Sequence, residues 1–315
     1  MRHSRLAPLD DAPERPVLLV PRREGDLRQA RGHRLHAARA LTVLACAAAV
    51  ALGAVGCSSD GSSGEVTVAG STTCLPIAES VAEEFRDETG VNVLVSGLGS
   101  SAGIEAVSAG TADIASSSRY LTVEEQQLGL TPVVIAHDGI AVIVNKDNPI
   151  ESLSIGQLRA IYSGAVDNWK DVGGADVPIQ LVNRDEASGT REAFKSMVMA
   201  STEFDRSAAV LQGTGQVRDV VSRSEGAIGY ISMGFVDSKF TTTEVKAIKV
   251  EGVEPTEETV VSGEYPIARD LYFFVKGEPT EDAQAYIDYM LSPDQDDLVR
   301  EAGFVPVEHD DTDEE

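Results

Sequence analysis

The run Asn183-Arg184-Asp185-Glu186-Ala187-Ser188-Gly189-Thr190-Arg191 lies between two periodic segments. Ahead of it, residues 178–182 (PIQLV) have strand character. Behind it, Phe194, Met197 and Val198 recur three and four positions apart, the spacing of one helix face. Ser188 is a strong N-cap, and Gly189 and Thr190 then open the first turn. A helix start offers backbone N–H groups without intrahelical partners, at the positive end of the macrodipole, so an anion fits there. Arg184 arrives from the strand end, and its planar guanidinium can grip two oxygens of a tetrahedral oxyanion. Alone, the stretch reads equally well as an ordinary helix cap beside two surface arginines.

The same design occurs twice nearer the start of the chain. Gly70-Ser71-Thr72-Thr73 follows a strand-like run at 65–69 and precedes a helix pattern at 72–89 through Ile77, Val81 and Phe85. Pro76 is tolerated in a first turn. Gly97-Leu98-Gly99-Ser100-Ser101 follows 91–95 and precedes a helix at 101–109. With a third strand at 112–116, ending in Ser116-Ser117-Ser118-Arg119, these segments make a βαβαβ unit with a parallel sheet. Its turns gather at the carboxyl edge, where open α/β sheets bind ligands. Three such turns on one cleft would form a cage of uncharged donors.

Composition narrows the partners. The chain has 315 residues, 42% hydrophobic and 5% aromatic, with a formal net charge of −25. No basic stripe is present, which disfavours nucleic acid, and the low aromatic share disfavours a stacking platform. Residues 1–56 differ in kind. They hold nine Arg and five acidic side chains, and 41–55 (LTVLACAAAVALGAV) has the length of a signal-peptide apolar region rather than a membrane span. Ala54-Val55-Gly56-Cys57 resembles a bacterial lipobox, which implies cleavage before Cys57 and lipidation of its thiol; the alternative is an uncleaved anchor ending in a lone Cys. Without 1–56, 17 basic and 46 acidic residues remain, a net of −29. Such a chain attracts no anion by its overall field, so an anion site must work through local donors. Cys74 is then the only other cysteine outside the leader, so no intrachain disulfide is expected. His137 and His309 are the histidines left, without metal-ligand spacing.

Farther along, 132–136 and 140–144 read as two strands around His137-Asp138-Gly139, and 145–149 as a linker. Helices at 155–161, from Ser188 and at 217–222, the last opened by Gly213-Thr214-Gly215, with strands at 178–182 and 227–231, suggest a second α/β lobe. Trp169 reads as a packing anchor. Tyr265-Pro266-Ile267 starts a return, 271–275 is a strand that rejoins the first lobe, and 281–291 and 295–302 are helical. The expected division is a leader at 1–56, a tether at 57–64, lobe 1 at 65–145 plus 263–306, lobe 2 at 146–262, and an acidic disordered tail at 307–315. Two crossings between lobes form the covalent layout of a hinge over a cleft.

The ordered set of motifs carries a family likeness. It comprises Gly-Ser-Thr-Thr at 70–73, Gly-Ser-Ser-Ala-Gly-Ile at 99–104, Asp-Ile-Ala-Ser-Ser-Ser-Arg at 113–119 and Asp-Gly-Ile-Ala-Val-Ile-Val-Asn at 138–145. Ile-Tyr-Ser-Gly…Asn-Trp at 161–169, Arg-Asp-Glu-Ala-Ser-Gly-Thr-Arg at 184–191 and Gly-Ala-Ile-Gly-Tyr at 226–230 complete it. Together they resemble the extracytoplasmic phosphate-binding proteins of the Pst-type phosphate ABC importer, over about residues 65–306. The resemblance implies an α/β, type 2 periplasmic-binding fold closing on one dehydrated phosphate. It implies no cofactor and a monomeric, lipid-anchored receptor at the extracytoplasmic face of the cell membrane, which docks on the permease subunits of an ABC transporter. Thr72 and the backbone of Thr73 would donate from the first turn, Ser100 from the second, and Arg184, Ser188, Gly189 and Thr190 from the second lobe.

One position departs. Where some members carry an Asp that accepts the proton of hydrogen phosphate, this chain has Ser118. A site of donors alone does not reject sulfate, which has the same shape and lacks that proton. Asp138 is the candidate acceptor; the competing reading makes it a turn residue before Gly139. Asp185 and Glu186 either orient Arg184 or are solvated at the surface, and Arg191 either reaches the anion or pairs with Glu186 or Glu192. Rival functions are a receptor for sulfate or molybdate, a phosphate-ester hydrolase, and a relative that has lost its ligand. Ser188 lacks a Gly-x-Ser-x-Gly elbow, and no base is visibly paired to a serine.

Overall fold

The computed structural model describes residues 64–236 and 244–309. The leader at 1–56, Cys57 and all but Gly64 of the tether lie outside these residues, as do residues 237–243 and the last six residues of the tail.

In chain order the elements are β1 (Glu65–Gly70), α1 (Leu75–Thr89), β2 (Asn92–Gly97), α2 (Ser100–Ala109), β3 (Ile114–Ser117), β4 (Leu130–Asn145), β5 (Ser152–Leu153), α3 (Ile155–Tyr162), β6 (Gln180–Arg184), α4 (Gly189–Phe194), β7 (Ala209–Leu211), α5 (Thr214–Ser222), β8 (Ala227–Ser232), β9 (Val245–Val250), α6 (Glu257–Val261), β10 (Ala268–Lys276), α7 (Glu281–Met290) and α8 (Asp296–Glu301). The strands run in the order β2-β1-β3-β10-β4-β8-β6-β7, with β9 on β4 and β5 on β9. β1 is parallel to β2 and β3, and β6 is parallel to β7 and β8, while β10 and β4 run antiparallel to their main neighbours.

Each half of this arrangement is an α/β lobe with helices on both sheet faces. In the first, Val66, Val68, Ile114 and Phe273 pack under α1 and α7, while Ala115 and Phe274 face α2. Alternate residues of a strand point to opposite faces, and where both faces are covered a strand reads as a continuous apolar run, as at 271–275 of β10. The second lobe repeats the logic. Ile140, Val142 and Val144 enter a core with Leu158, Tyr162 and Phe194, and Ala141 and Ile143 face Val217 and Val221 of α5.

β4 is where the sequence reading and the structure part. The runs 132–136 and 140–144 are one sixteen-residue strand, not two strands around a turn. Its residues 130–139 pair with β10, and its residues 140–145 pair with β8 and β9. Asp138 and Gly139 lie at the change of partner, opposite Arg269 and Ala268. The second crossing runs alongside, joined by the Ile140 N–H donating to the carbonyl of Ile267 at 2.9 Å. α1 begins at Leu75 rather than at 72 because Ser71 makes a tight turn first: its Oγ accepts from the N–H groups of Thr73 and Cys74 at 3.1 and 3.4 Å. Trp169 is buried as expected, its Nε1 donating to the Gly226 carbonyl at 3.0 Å. The strand β9 had no counterpart in the sequence reading.

Candidate functional site

The ends of β1, β2, β3 and β6 bring the hydroxyl-rich turns face to face across the two lobes. Ser188 caps α4, its Oγ accepting from the Arg191 N–H at 3.2 Å, as the sequence predicts. The helical run continues past α4 as a π turn over Lys195–Met199. The last residue of α4 is held by aromatic packing. Phe194 stacks on Tyr230 with ring centroids 4.1 Å apart and planes within 5°. The Tyr230 hydroxyl donates to Asn183 Oδ1, which also accepts from the Arg184 N–H at 2.8 Å. The C-terminal end of α4 and the backbone at Arg184 are thus fixed to the same buried ring.

Contacts across the cleft are direct. Thr73 Oγ1 meets Thr190 Oγ1 at 3.2 Å, and Thr72 Oγ1 meets Thr214 Oγ1 at 3.0 Å. The Ser101 N–H donates to the Ala187 carbonyl at 3.2 Å. Gly99, at φ 102°, turns the chain so closely against Ala187 that a Cβ would sit 2.7 Å from that carbonyl oxygen. A Cβ on Gly189 would lie 2.2 Å from Ser100 Oγ and 2.8 Å from Ser118 Oγ. Ser100 and Ser118 are themselves joined, the Ser118 N–H donating to Ser100 Oγ at 3.1 Å. Thr72, Thr73, Ser100, Ser118, Arg184, Gly189 and Thr190 therefore share one neighbourhood, with Ser188 adjoining them in sequence. Seven of these eight are buried, and Thr72 is partly exposed.

Arg184 is buried at 2% exposure, and every guanidinium nitrogen donates. Nε reaches the Leu211 carbonyl at 3.2 Å and Nη1 reaches Thr214 Oγ1 at 3.2 Å. Nη2 reaches the Gln212 carbonyl at 2.6 Å and Thr72 Oγ1, in the other lobe, at 3.1 Å. Among the described residues no carboxylate lies within ion-pair distance of it. Burial lowers its pKa, since removing a cation from water disfavours the charged form. Asp185 does not grip it: one Asp185 oxygen is buried with no hydrogen-bond partner. Arg191 pairs with neither Glu186 nor Glu192 and lies over the Phe204 ring, 5.0 Å from its centroid.

Asp138 is fully buried on β4. Its Oδ2 accepts from Arg269 Nε and Nη2 at 3.0 and 2.8 Å, and its Oδ1 accepts from Ser232 Oγ at 2.7 Å. Burial raises its pKa, opposed by the Arg269 charge and these donors. Arg269 also donates from Nη1 to the Ser118 carbonyl at 2.9 Å, so it links Asp138 to the hydroxyl cluster. The sequence reading passed over Arg269. The available signal was the charged pair Arg269-Asp270 immediately ahead of the apolar run 271–275. Thr214 was read only as part of a helix opening, yet it is a buried partner of both Arg184 and Thr72. At the end of the third turn, Arg119 forms a two-pronged pair with Glu125 at 2.6 and 2.8 Å and donates to Ser101 Oγ at 3.0 Å, which fixes the loop behind Ser118.

Among the described residues no group of His, Cys, Asp and Glu is arranged to hold a metal ion. The arrangement is suited to binding a small anion: one buried cation that among the described residues has no carboxylate partner, several hydroxyls and backbone amides, and one carboxylate behind them.

Comparison with known proteins agrees in kind. A family model described as the PBP superfamily domain matches residues 56–294. The phosphate-binding protein PstS of Bacillus subtilis is 32% identical over 249 residues, covering 78% of this chain and 81% of that protein. PstS of Borreliella burgdorferi is 31% identical over 252 residues, covering 77% of this chain and 90% of that protein. Among solved structures, a Clostridium perfringens chain with bound phosphate superposes with a TM-score of 0.74 at 38% identity, over 78% of this chain and all of that one. An ABC-type phosphate transport receptor from Vibrio cholerae gives a TM-score of 0.66 at 34% identity, over 77% of this chain and all of that one.

The closeness of Gly189 to Ser100 and Ser118 makes a test of closure. Gly189→Ala is expected to disfavour the closed arrangement by about 1–3 kcal/mol, the usual range for overpacking. Small-angle scattering should show a larger radius of gyration than for the unsubstituted protein under the same conditions; an unchanged profile would count against the contact.

Proposed function

As the chain belongs to the family of PstS phosphate-binding proteins within the periplasmic-binding-protein superfamily, we propose that it captures inorganic phosphate between its lobes and delivers it to an ABC transporter. The observation that carries this reading is the buried Arg184 guanidinium without a carboxylate partner among the described residues. A buried cation is costly unless paired, and phosphate supplies the missing negative charge. Thr72, Ser100, Ser118, Ser188 and Thr190 supply hydroxyl donors, and Thr73 and Gly189 supply backbone N–H groups. None of these donors brings a charge of its own, which suits an acidic chain.

Asp138 takes the acceptor role. Arg269 favours its ionised form against the effect of burial, and an ionised carboxylate accepts the proton of hydrogen phosphate but repels sulfate. Capture proceeds by hinge closure at the paired crossings, with the closed form docking on the permease. The change of strand partner suggests a lobe boundary at Gly139 on β4 and between Ile267 and Ala268 on the return. Cys57 carries lipid that holds the receptor, a monomer, at the extracytoplasmic face of the membrane. This reading favours a receptor over a hydrolase: His137, the natural candidate for a general base, is bonded through Nδ1 to Asp270 at 2.7 Å.

Removing the arginine side chain in Arg184→Ala should weaken phosphate binding by about 2–5 kcal/mol, the range for deleting one partner of a buried charge pair. Calorimetry measures this, and wild-type affinity in the variant would relocate the site. For Asp138→Asn, the ratio of phosphate to sulfate affinity should fall toward unity in competition titrations. The ratio is insensitive to any general loss of stability, and a retained preference for phosphate would remove Asp138 from the acceptor role.

A further inference from the structure

The hydroxyl of Thr214 lies between the buried arginine and the other lobe. Thr214 is the first residue of α5 and is 1% exposed. Among the described residues its Oγ1 has two hydrogen-bond partners, Arg184 Nη1 at 3.2 Å and Thr72 Oγ1 at 3.0 Å. A hydroxyl has one hydrogen to donate and two lone pairs to accept with. Arg184 has only hydrogens to offer, so Thr214 accepts from it. A buried hydroxyl that leaves its hydrogen without an acceptor is penalised, and the remaining neighbour of Thr214 is Thr72. Thr214 therefore donates to Thr72 Oγ1. Thr72 Oγ1 accepts a second hydrogen from Arg184 Nη2 at 3.1 Å. Both of its lone pairs are then occupied, and its own hydrogen is left to point elsewhere.

We infer that Thr214 is a positioning residue that makes Thr72 a one-way hydrogen-bond donor toward the captured anion. Without the Thr214 hydroxyl, Thr72 has a spare lone pair and can rotate its hydrogen away from the cleft. Arg184 also loses one of the oxygens that fix its fork. The inference rests on the phosphate reading above. It adds a residue outside the three hydroxyl turns, and it assigns the direction of each hydrogen bond in the group. It also joins the lobes, because Thr72 follows β1 whereas Arg184 and Thr214 belong to the β6–α5 region.

The test is phosphate titration by calorimetry on the protein and on Thr214→Val, Thr214→Ser, Thr72→Val and the Thr72→Val/Thr214→Val pair, with melting of each in phosphate-free buffer. Thr214→Val keeps the shape and removes the hydroxyl, and should bind phosphate about tenfold more weakly or worse, the loss for one hydrogen bond in a charged network. Thr214→Ser, which restores the hydroxyl, should bind within about threefold of the unsubstituted protein, less than the loss of a single hydrogen bond. The loss from Thr214→Val should shrink when Thr72 is already Val, because the two hydroxyls act as one unit. Thr214→Ala serves the same comparison if the Val variant does not fold. Unchanged affinity in Thr214→Val, equal losses in both Thr72 backgrounds, or a Ser variant as weak as the Val variant would overturn the role of Thr214. An unsubstituted protein that binds no phosphate would overturn the reading beneath it.

Discussion

The structure is organised around one unneutralised cation. Arg184 is placed at the carboxyl end of β6, buried, and held by four oxygens that carry no formal charge. Carbonyl and hydroxyl oxygens hold the guanidinium in one orientation without cancelling its charge. An adjacent Asp or Glu bonded to it would have done both, and would have left nothing for an anion to neutralise. The neighbouring acids Asp185 and Glu186 make no such bond among the described contacts. A positive charge is thus kept available inside a chain whose formal net charge is −25.

The remaining features serve that charge. The hydroxyl turns after β1, β2 and β3 are brought opposite α4 by a parallel sheet whose carboxyl edge is also where the chain must turn. Glycine at 99 and 189 removes the side chains that would hold the two sides apart. The strand β4 belongs to both sheets, so the lobes are tied by a continuous backbone ladder rather than by a loose linker. At the change of partner, Asp138 and Arg269 form a buried ion pair that also reaches Ser118. Ser232, from the second lobe, closes the same pair from the other side. Hinge and binding cluster are therefore parts of one hydrogen-bonded system.

Much of this was legible in the sequence, and the gaps have physical causes. Ser188 as N-cap, Arg184 at a strand end and the hydroxyl turns could be read because cap and turn chemistry is local. Phe194, Val198 and the apolar strands could be read from their periods. The continuity of β4 was hidden by Pro132 and by His137-Asp138-Gly139, which mimic a turn. Pro132 is tolerated because that half of β4 has β10 on one side and, among the described residues, no strand on the other. Arg269 was missed because its partner Asp138 is 131 residues away, and only the register between β4 and β10 brings them together. Thr214 was hidden for the same reason: nothing near it in sequence announces a buried arginine 30 residues upstream. α1 began late because Ser71 satisfied backbone donors that a helix would otherwise have left open.

The central claim is that capture depends on local, desolvated donors and one buried cation that no carboxylate neutralises among the described residues, not on a surface field. Phosphate affinity measured by calorimetry across a salt series decides this. The account predicts one phosphate per chain and an affinity that does not fall as ionic strength rises from about 0.05 to 0.5 M, because buried pairs are little screened. A steep loss of affinity over that series, or binding of several phosphates per chain, would place the anion on an exposed charged surface and contradict the account.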